Sequence, residues 1–195
     1  DRVCDLYLNS PTNATCINGI SDMIFGKGLE SLNSDDFPEQ YVKMKSLLRP
    51  AEIKKLIKDY YLLGQGALQI TYNTGKTKIL KVSHFPMETL RANKAQEGII
   101  KKWHYHPNWS NKKKGDKTKL IPSFGFGSAK ELNELYIFKP YKPKFYYYAP
   151  TEYHSCLQYA ELEGEVSEYH ISNIQNGLAP SLFINFNNGV PDDQT

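Results

Sequence analysis

Apolar residues recur at intervals of three and four in the first third of the chain, the spacing that gathers side chains on one face of a helix. Three segments show it before residue 65: one ends at the glycines of residues 26–28, one ends before Pro50, and one runs from Pro50 to Gly64. Proline at a first helical position and glycine just past the last one are typical helix boundaries. The pattern predicts three amino-terminal helices.

The middle of the chain shows a different pattern, in which polar and apolar residues alternate as they do in strands. Residues 67–72 and 76–82 flank an Asn-Thr-Gly turn and predict a β-hairpin, and residues 107–119 predict a polar loop. We expect the strands to form an antiparallel meander. Further strands are predicted at residues 88–91, 98–106, 135–139, 144–148 and 181–186.

A long helix is predicted from Thr151, as its N-cap, to about residue 175, before Gly177. At 100° per residue, Glu161, Glu165 and Glu168 fall within about 60° of one another and form an acidic stripe. Two apolar flanks predict packing on two sides, one against the chain's own sheet and one against a neighbouring subunit. The flanks are Tyr159, Leu162, Val166 and Tyr169, and Tyr153, Ala160, Ile171 and Ile174.

These elements predict an α+β fold, with an antiparallel meander sheet flanked by amino-terminal helices and one long carboxy-terminal helix. The length of 195 residues suits a single domain. We expect this domain to divide into a helical part at 1–65, an antiparallel sheet at 66–150, and the long helix plus a strand at 151–195. No apolar run approaches the roughly 20 residues that a membrane helix needs, so no membrane partner is expected.

Charge divides the chain at residue 151. All 24 basic residues precede it, together with 14 acidic ones, so that part carries +10. The last 45 residues hold seven acidic residues and no lysine or arginine, a charge of −7. Because mixed signs favour a soluble monomer, this division indicates a partner, another copy of the chain, or an acidic wall.

The acidic stripe has three interpretations from sequence. Like charges three and four residues apart cost an isolated helix about 0.2 to 0.5 kcal/mol per pair, so another factor must favour them. The stripe is a solvated face, a contact with lysines of another subunit, or a wall that repels a polyanion. No nucleophile motif such as Gly-x-Ser-x-Gly occurs, so we expect no catalytic residue and no enzyme.

His104 and His106 are the candidate metal ligands, because residues two apart on a strand point to one side. A third ligand is not local. The candidates for it are His84, His154 and Cys156, and the three cysteines of the chain form no even disulfide framework. A metal-binding protein or a hydrolase that uses this histidine pair is therefore an alternative function.

Lysines cluster around two tryptophans, Trp103 and Trp109, in the middle of the chain. Cations that meet phosphates beside rings that stack on bases are typical of nucleic-acid surfaces. A solvated polar loop explains the same residues. The candidate basic surface consists of Lys101, Lys102, Lys112, Lys113, Lys114, Lys117 and Lys119.

Two stretches resemble the portal proteins of tailed bacteriophages, particularly those of prophages in Bacteroidetes-like hosts. The first is CINGISDMIFGKGL at residues 16–29. The second is YYAPTEYHSCL at residues 147–157, followed by the acidic helix, NGLAP at 176–180 and NFNNG at 185–189. Ala149 stands where the family usually has glycine. The resemblance covers most of residues 11–191, with the middle matched mainly by layout.

The resemblance implies a structural virion protein, a head-tail connector whose homo-oligomeric ring, often a dodecamer, sits at one capsid vertex. Double-stranded DNA is packaged and ejected through the ring without sequence specificity. Terminase and head-completion proteins dock on it, it needs no cofactor, and it assembles in the cytoplasm of the bacterial host. The stem, clip and crown of the family are expected after Thr195, so the chain resembles the amino-terminal wing. Another phage connector or baseplate protein is a further alternative.

Overall fold

A computed structural model of the chain describes residues 2–177. Its helices are α1 (Arg2–Asn9), α2 (Pro11–Phe25), α3 (Pro38–Leu47), α4 (Pro50–Leu63) and α5 (Leu157–Gln175). Its strands are β1 (Gly66–Tyr72), β2 (Ile79–Phe85), β3 (Leu90–Ala92), β4 (Lys102–Tyr105), β5 (Lys119–Pro122) and β6 (Asn133–Phe138). The α+β class is confirmed. The strand predicted at 181–186 lies outside the described residues.

The starts of α2 and α4 follow from local chemistry. Both begin with proline at the first helical position, and the Ser10 hydroxyl caps α2 by accepting a hydrogen bond from the Asn13 N–H at 3.3 Å. Gly64 ends α4 in a left-handed conformation with φ 79°. A Cβ there would lie 2.4 Å from the carbonyl oxygen of Pro150, so this position requires glycine.

Helix α1 is absent from the sequence prediction. It has eight residues, below the length at which an isolated helix is stable, and Leu6 is its buried residue. Its partners, α2 and α5, supply the packing, and α5 follows about 150 positions later in the chain. The periodicity of the first ten residues therefore carries no signal of that contact.

The strands form two small antiparallel sheets instead of one meander. In the first sheet β1 lies between β2 and β6, and in the second β4 lies between β3 and β5. Strand β5 is absent from the sequence prediction, which ends its polar loop at residue 119, the first residue of the strand. Its role becomes visible only through pairing, since Trp103 of β4 lies opposite Ile121.

Two predicted strand boundaries shift for local reasons. Strand β2 begins at Ile79 rather than residue 76, because the Asn73 side-chain oxygen accepts hydrogen bonds from Thr77 and Lys78 and extends the turn. The predicted strand at 98–106 shortens to β4, because its first part folds back in a bridge between Gln96 and Ile99.

The strand predicted at 144–148 is wrong. This segment is irregular, Lys144 has φ 69°, and prolines 140, 143 and 150 flank it. Its tyrosines dock by their hydroxyl groups: the Tyr148 oxygen accepts from the Ala92 N–H at 2.8 Å, and the Tyr147 oxygen accepts from the Ala95 N–H at 3.3 Å. The alternation of apolar residues that resembles a strand therefore reflects side-chain docking.

The main core lies between the two sheets. It is formed by Ala67, Met87, Leu90, Trp103, Ile121 and Leu135. A second, smaller cluster joins Leu6 of α1 to Leu157 and Ala160 of α5. Helix α5 therefore rests on α1, and the prediction that one of its flanks meets the sheet is wrong.

The N-cap of α5 is Cys156, five residues after the predicted N-cap Thr151. Thr151 is buried, and its carbonyl accepts a hydrogen bond from the His154 N–H at 3.2 Å in a short 3₁₀ turn, His154–Cys156. The Tyr153 hydroxyl donates to the Leu62 carbonyl at 3.1 Å and ties this turn to α4. The carboxyl end of the helix agrees with the prediction, at Gly177 with φ 65°. Among residues 2–177, no helix is both long and apolar enough to cross a membrane.

Candidate functional site

The orientation of α5 is fixed by contacts on one side. Leu157 and Ala160 are buried against Leu6 of α1. One helical turn further along, the Glu163 carboxylate reaches the amino terminus of α2, where it accepts hydrogen bonds from the Ser10 and Thr12 hydroxyls. These contacts set which residues of α5 face away from the molecule.

Glu163 is a structural carboxylate that sequence reasoning missed. Its Oε1 lies 2.6 Å from Thr12 Oγ1 and 3.4 Å from the Thr12 backbone nitrogen. The hydrogen bonds from Ser10, and then those from Thr12, hold the pKa of Glu163 below its usual value. A carboxylate at a helix amino terminus also complements the helix dipole. The sequence shows that Glu163 lies off the acidic stripe, which sets it apart from the other glutamates of α5. Its partners, Ser10 and Thr12, lie about 150 residues away in the chain, so the sequence pattern does not reveal them.

The acidic stripe lines an open groove between α1 and α5, with a cavity volume of about 720 Å³. Glu161 pairs with Arg2 of α1 at 2.8 Å, and both side chains are more than half exposed. Such a surface pair contributes little to stability. Glu165 and Glu168 lie farther along the same edge and are exposed. The structure therefore brings the three glutamates together as the rim of one groove.

The opposite face of α5 carries a row of exposed apolar side chains, which we call the outer stripe. Its centre lies about 170° around the helix from Leu157 and Ala160, at about 100° per residue. No described residue covers it. The outer stripe consists of Tyr159, Leu162, Val166 and Tyr169, which are 74%, 57%, 44% and 65% exposed. Of the other predicted flank, Ala160 and Tyr153 pack in the cluster with Leu6, whereas Ile171 and Ile174 are 55% and 71% exposed.

A second exposed surface is formed by aromatic residues after β6, and we call it the aromatic groove. It is lined by residues 98–100, 139–142 and 144–146, with a cavity volume of about 580 Å³. Tyr141, Phe145 and Tyr146 are exposed there. Burial lowers the pKa of the Lys139 ammonium, which donates to the Tyr146 carbonyl. Sequence reasoning missed this groove because it assigned the segment to a strand.

The candidate basic surface is divided by the structure. Lys102 pairs with Pro122 and Lys119 with Tyr105, so these lysines lie at opposite ends of the β4–β5 hairpin. Lys101 lies beside Lys102. The remaining members, Lys112, Lys113, Lys114 and Lys117, lie in the connecting loop near Lys119.

The two tryptophans do not present open rings beside those lysines. Trp103 is 2% exposed in the core, and its indole donates to the Ser123 hydroxyl at 3.1 Å. The Trp109 indole donates to the Thr89 carbonyl at 2.8 Å, with the Arg91 guanidinium over its ring. Base stacking needs an accessible ring face, so this arrangement does not favour nucleic-acid recognition here.

The histidines are engaged separately. His104 Nδ1 lies 3.0 Å from the Thr118 hydroxyl, and His106 packs against Trp109 with ring centroids 5.5 Å apart. His84 Nε2 lies 2.8 Å from an Asp59 carboxylate oxygen. Within residues 2–177, no group of three or more His, Cys, Asp or Glu side chains is placed to hold a metal ion. The alternative metal site therefore has no ligand set in this region.

Comparisons with known proteins bear on the fold. No protein-family model matches the chain. No curated protein matches it either. A solved structure of the neck of an empty gene transfer agent (GTA) particle, computed with C6 symmetry, contains a similar chain, with a TM-score of 0.67 and 11% sequence identity. The likeness covers 93% of this chain and 48% of that chain, so this chain spans about half the length of the chain it matches. The two chains share a fold.

Proposed function

We propose that the chain is a structural subunit of a phage-like particle and forms part of a ring at the junction of head and tail. The observation that carries the proposal is the shared fold, over 93% of this chain, with a chain from a GTA particle neck. That neck was computed with C6 symmetry. Closed rotational symmetry is the usual arrangement for copies of one chain in a ring.

Within that junction, we propose the role of a portal subunit. The resemblance of residues 16–29 and 147–157 to phage portal proteins supports this role. A dodecameric ring, often found in that family, also obeys six-fold symmetry and agrees with the symmetry of the neck. Terminase and head-completion proteins are then the expected partners. The expected location is the virion, after assembly in the cytoplasm of the bacterial host.

The outer stripe of α5 supports a subunit contact. Four apolar side chains in a row point away from the buried face of the helix. Contiguous exposed apolar surface of this kind marks interaction sites in soluble proteins, because covering it removes apolar area from water. A neighbouring subunit in a ring would supply that cover.

The acidic part of the chain supports passage of DNA rather than capture. Residues 151–195 carry −7, and the acidic stripe is exposed along a groove. Carboxylates repel phosphates, so a duplex near such a surface slides instead of binding. Because Trp103 is buried in the core, it offers no platform for bases. The proposed contact with double-stranded DNA therefore has no sequence specificity, and the role needs no catalytic group.

Immunogold labelling of intact particles tests this function. An antibody to residues 107–119, an exposed loop, should label particles from the encoding cell at the head-tail junction. The protein should also co-purify with the particles at a constant copy number. Absence of the chain from purified particles, or label spread over the capsid surface, would contradict the proposal.

A further inference from the structure

The outer stripe of α5 has the spacing of a coiled-coil seam. Its members, Tyr159, Leu162, Val166 and Tyr169, follow one another at steps of three, four and three residues. A further step of four reaches Asn173, which is half-buried. Steps that alternate between three and four fit the side chains of one helix into holes on a second helix, whereas a helix that packs on a broad surface has a wider apolar face. The spacing therefore indicates that one helix covers the stripe.

The residue types along the seam indicate a helix with the same pattern. With Tyr159 as an a position of the heptad, Val166 is the next a position and Leu162 is the d position between them. A β-branched residue at a with leucine at d favours two parallel helices. Asn173 falls at the following a position, where a single polar residue fixes the register by meeting its equivalent on the partner. A second copy of α5 supplies that equivalent.

The charges beside the seam determine the direction of the pair. Glu165 lies at the g position on one side and His170 at the e position on the other, and both are exposed. In a parallel pair a g residue lies near the e residue five positions later on the partner, so Glu165 faces His170 of the second copy. An antiparallel pair that aligns Leu162 with Val166 places Glu165 opposite Glu165 of the second copy. The charges therefore favour the parallel direction.

Glu163, at the other e position, does not oppose this arrangement. Its carboxylate is turned toward α2 of its own copy, where it accepts hydrogen bonds from the Ser10 and Thr12 hydroxyls. These bonds hold its negative charge away from the seam. The contacts that fix the rotation of α5 therefore also leave the seam free of like charges.

The length of the seam limits what it does alone. From residue 159 to residue 173 it extends about 21 Å at 1.5 Å per residue. This is about two heptads, fewer than the three or four that mark an independent coiled coil. The pair is therefore one contact within a larger assembly.

We infer that α5 of one copy pairs in parallel with α5 of a second copy along the outer stripe, with Val166 against Val166. The inference rests on the proposed subunit contact of the outer stripe and names the helix that covers it. A parallel pair of identical helices has twofold symmetry. Six such pairs around a sixfold axis are compatible with the C6 symmetry of the similar neck structure.

Cysteine cross-linking of the full-length protein tests the pair. The native cysteines, Cys4, Cys16 and Cys156, are first replaced by serine to remove other thiols. Val166→Cys is then added to this background, and the protein is treated with oxidised glutathione. A disulfide requires Cα atoms within about 7 Å, and the parallel pair brings residue 166 beside its equivalent. We expect at least about half of the protein to become a covalent dimer.

Two matched cysteine variants control for position and direction. Glu168→Cys, exposed on the same helix but off the seam, should give no covalent dimer. Leu162→Cys mixed with Val166→Cys reports the antiparallel pair, in which residue 162 faces residue 166. Cross-linking in this mixture without cross-linking of Val166→Cys alone would overturn the parallel direction.

A charge swap tests the predicted contact beside the seam. His170→Glu in the Val166→Cys background places two glutamates opposite each other and should lower the yield of covalent dimer by about threefold, since exposed ion pairs are individually weak. Addition of Glu165→Lys makes the facing charges opposite and should restore the yield. Failure to recover would contradict the contact between Glu165 and His170.

The outcomes separate the helix pair from the proposed function. If rings form but Val166→Cys gives no covalent dimer, or Glu168→Cys gives as much, the helix pair is wrong and the ring function stands. If covalent dimers form but the wild-type protein makes no rings, the helix pair stands and the ring function fails. A wild-type monomer without cross-links would overturn both.

Discussion

Glu163 Oε1 lies 2.6 Å from Thr12 Oγ1, and this contact joins the carboxy-terminal helix of the described chain to the amino terminus of α2. The Ser10 hydroxyl donates to the other carboxylate oxygen. With Leu157 and Ala160 buried on α1, the rotation of α5 about its axis is fixed. The outer stripe faces away from the molecule as a consequence. A contact made for stability thus determines which surface is offered to a partner.

We expect Glu163→Gln to lower the melting temperature by a few degrees at neutral pH. The folded-state pKa lies below the ordinary 4.5, so the carboxylate stabilises the fold above that pH. This stabilisation is lost as the pH falls through the lower folded-state pKa. Thermal unfolding followed across this range should show the two proteins converge in acid. Glu168→Gln, on the same helix, should match the wild-type protein throughout; equal effects of both changes would contradict this role.

Two leucines of α5 allow a change in the packed core to be compared with the same change on the proposed subunit interface. Leu157 is buried against α1, and Leu162 is 57% exposed on the outer stripe. Leu157→Ala should lower the free energy of unfolding by about 2 to 3 kcal/mol, because it leaves a cavity. Leu162→Ala should leave this free energy nearly unchanged and weaken assembly. Urea unfolding measures the stability of both variants, and sedimentation measures their assembly. A larger loss of stability in Leu162→Ala than in Leu157→Ala would contradict the assignment of the outward face of α5.

The Lys76–Glu134 ion pair should be the most sensitive polar contact between the β1–β2 turn and β6. Lys76 Nζ lies 2.6 Å from Glu134 Oε1, and the glutamate side chain is 2% exposed. Lys76→Met should destabilise the fold by about 3 kcal/mol, because it leaves a buried carboxylate without its cation. Lys55→Met, which removes an exposed partner of Glu52, is the control and should cost far less.

The same ion pair predicts a pH dependence. Burial raises the pKa of Glu134. The hydrogen bonds from Lys76 and from the Gly125 N–H together lower this pKa by more than burial raises it, so the net shift is downward. The pair therefore stabilises the fold above the ordinary pKa of 4.5 and loses its effect as the pH falls. Urea midpoints of the wild-type and Lys76→Met proteins should approach each other in acid. A gap that stays constant with pH would rule out an ionic contribution.

Reversal of the acidic stripe tests its role in the particle. Glu161, Glu165 and Glu168 changed together to lysine should impair ring assembly or DNA passage, because the rim of the groove changes sign. The folded monomer should persist, since the ion pair between Glu161 and Arg2 is exposed and contributes little to stability. Circular dichroism, ring yield and packaged DNA are the measurements. If the triple variant forms normal particles, the acidic stripe is only a solvated face and has no role in the ring or in DNA passage.

Much of the fold could be predicted because its signals are local. Pro50 and Gly64 mark both ends of α4, and the alternation after Gly66 marks β1. Helix α1 and strand β5 were missed because their stability comes from partners distant in the chain. The strand predicted at 144–148 was wrong because Tyr147 and Tyr148 dock by their hydroxyl groups, and such docking leaves the same pattern of aromatic residues as strand pairing.

The candidate site was predictable in part for the same reason. Periodicity alone gave two apolar flanks and an acidic stripe on the last helix. It could not show that Tyr153 and Ala160 are the flank residues that are covered, because the covering element is α1, which the pattern did not reveal. Glu163 escaped notice because its hydrogen-bond partners, Ser10 and Thr12, lie at the other end of the sequence.

Native mass spectrometry of the full-length protein, with single-particle imaging of the same sample, tests the ring claim most directly. We predict closed rings with a copy number divisible by six, in accord with the C6 symmetry of the similar neck structure. Leu162→Ser with Val166→Ser should abolish the rings, whereas Met23→Ser, at a side chain 75% exposed on α2, should leave them intact. A wild-type protein that remains a monomer or stops at a dimer would contradict the account.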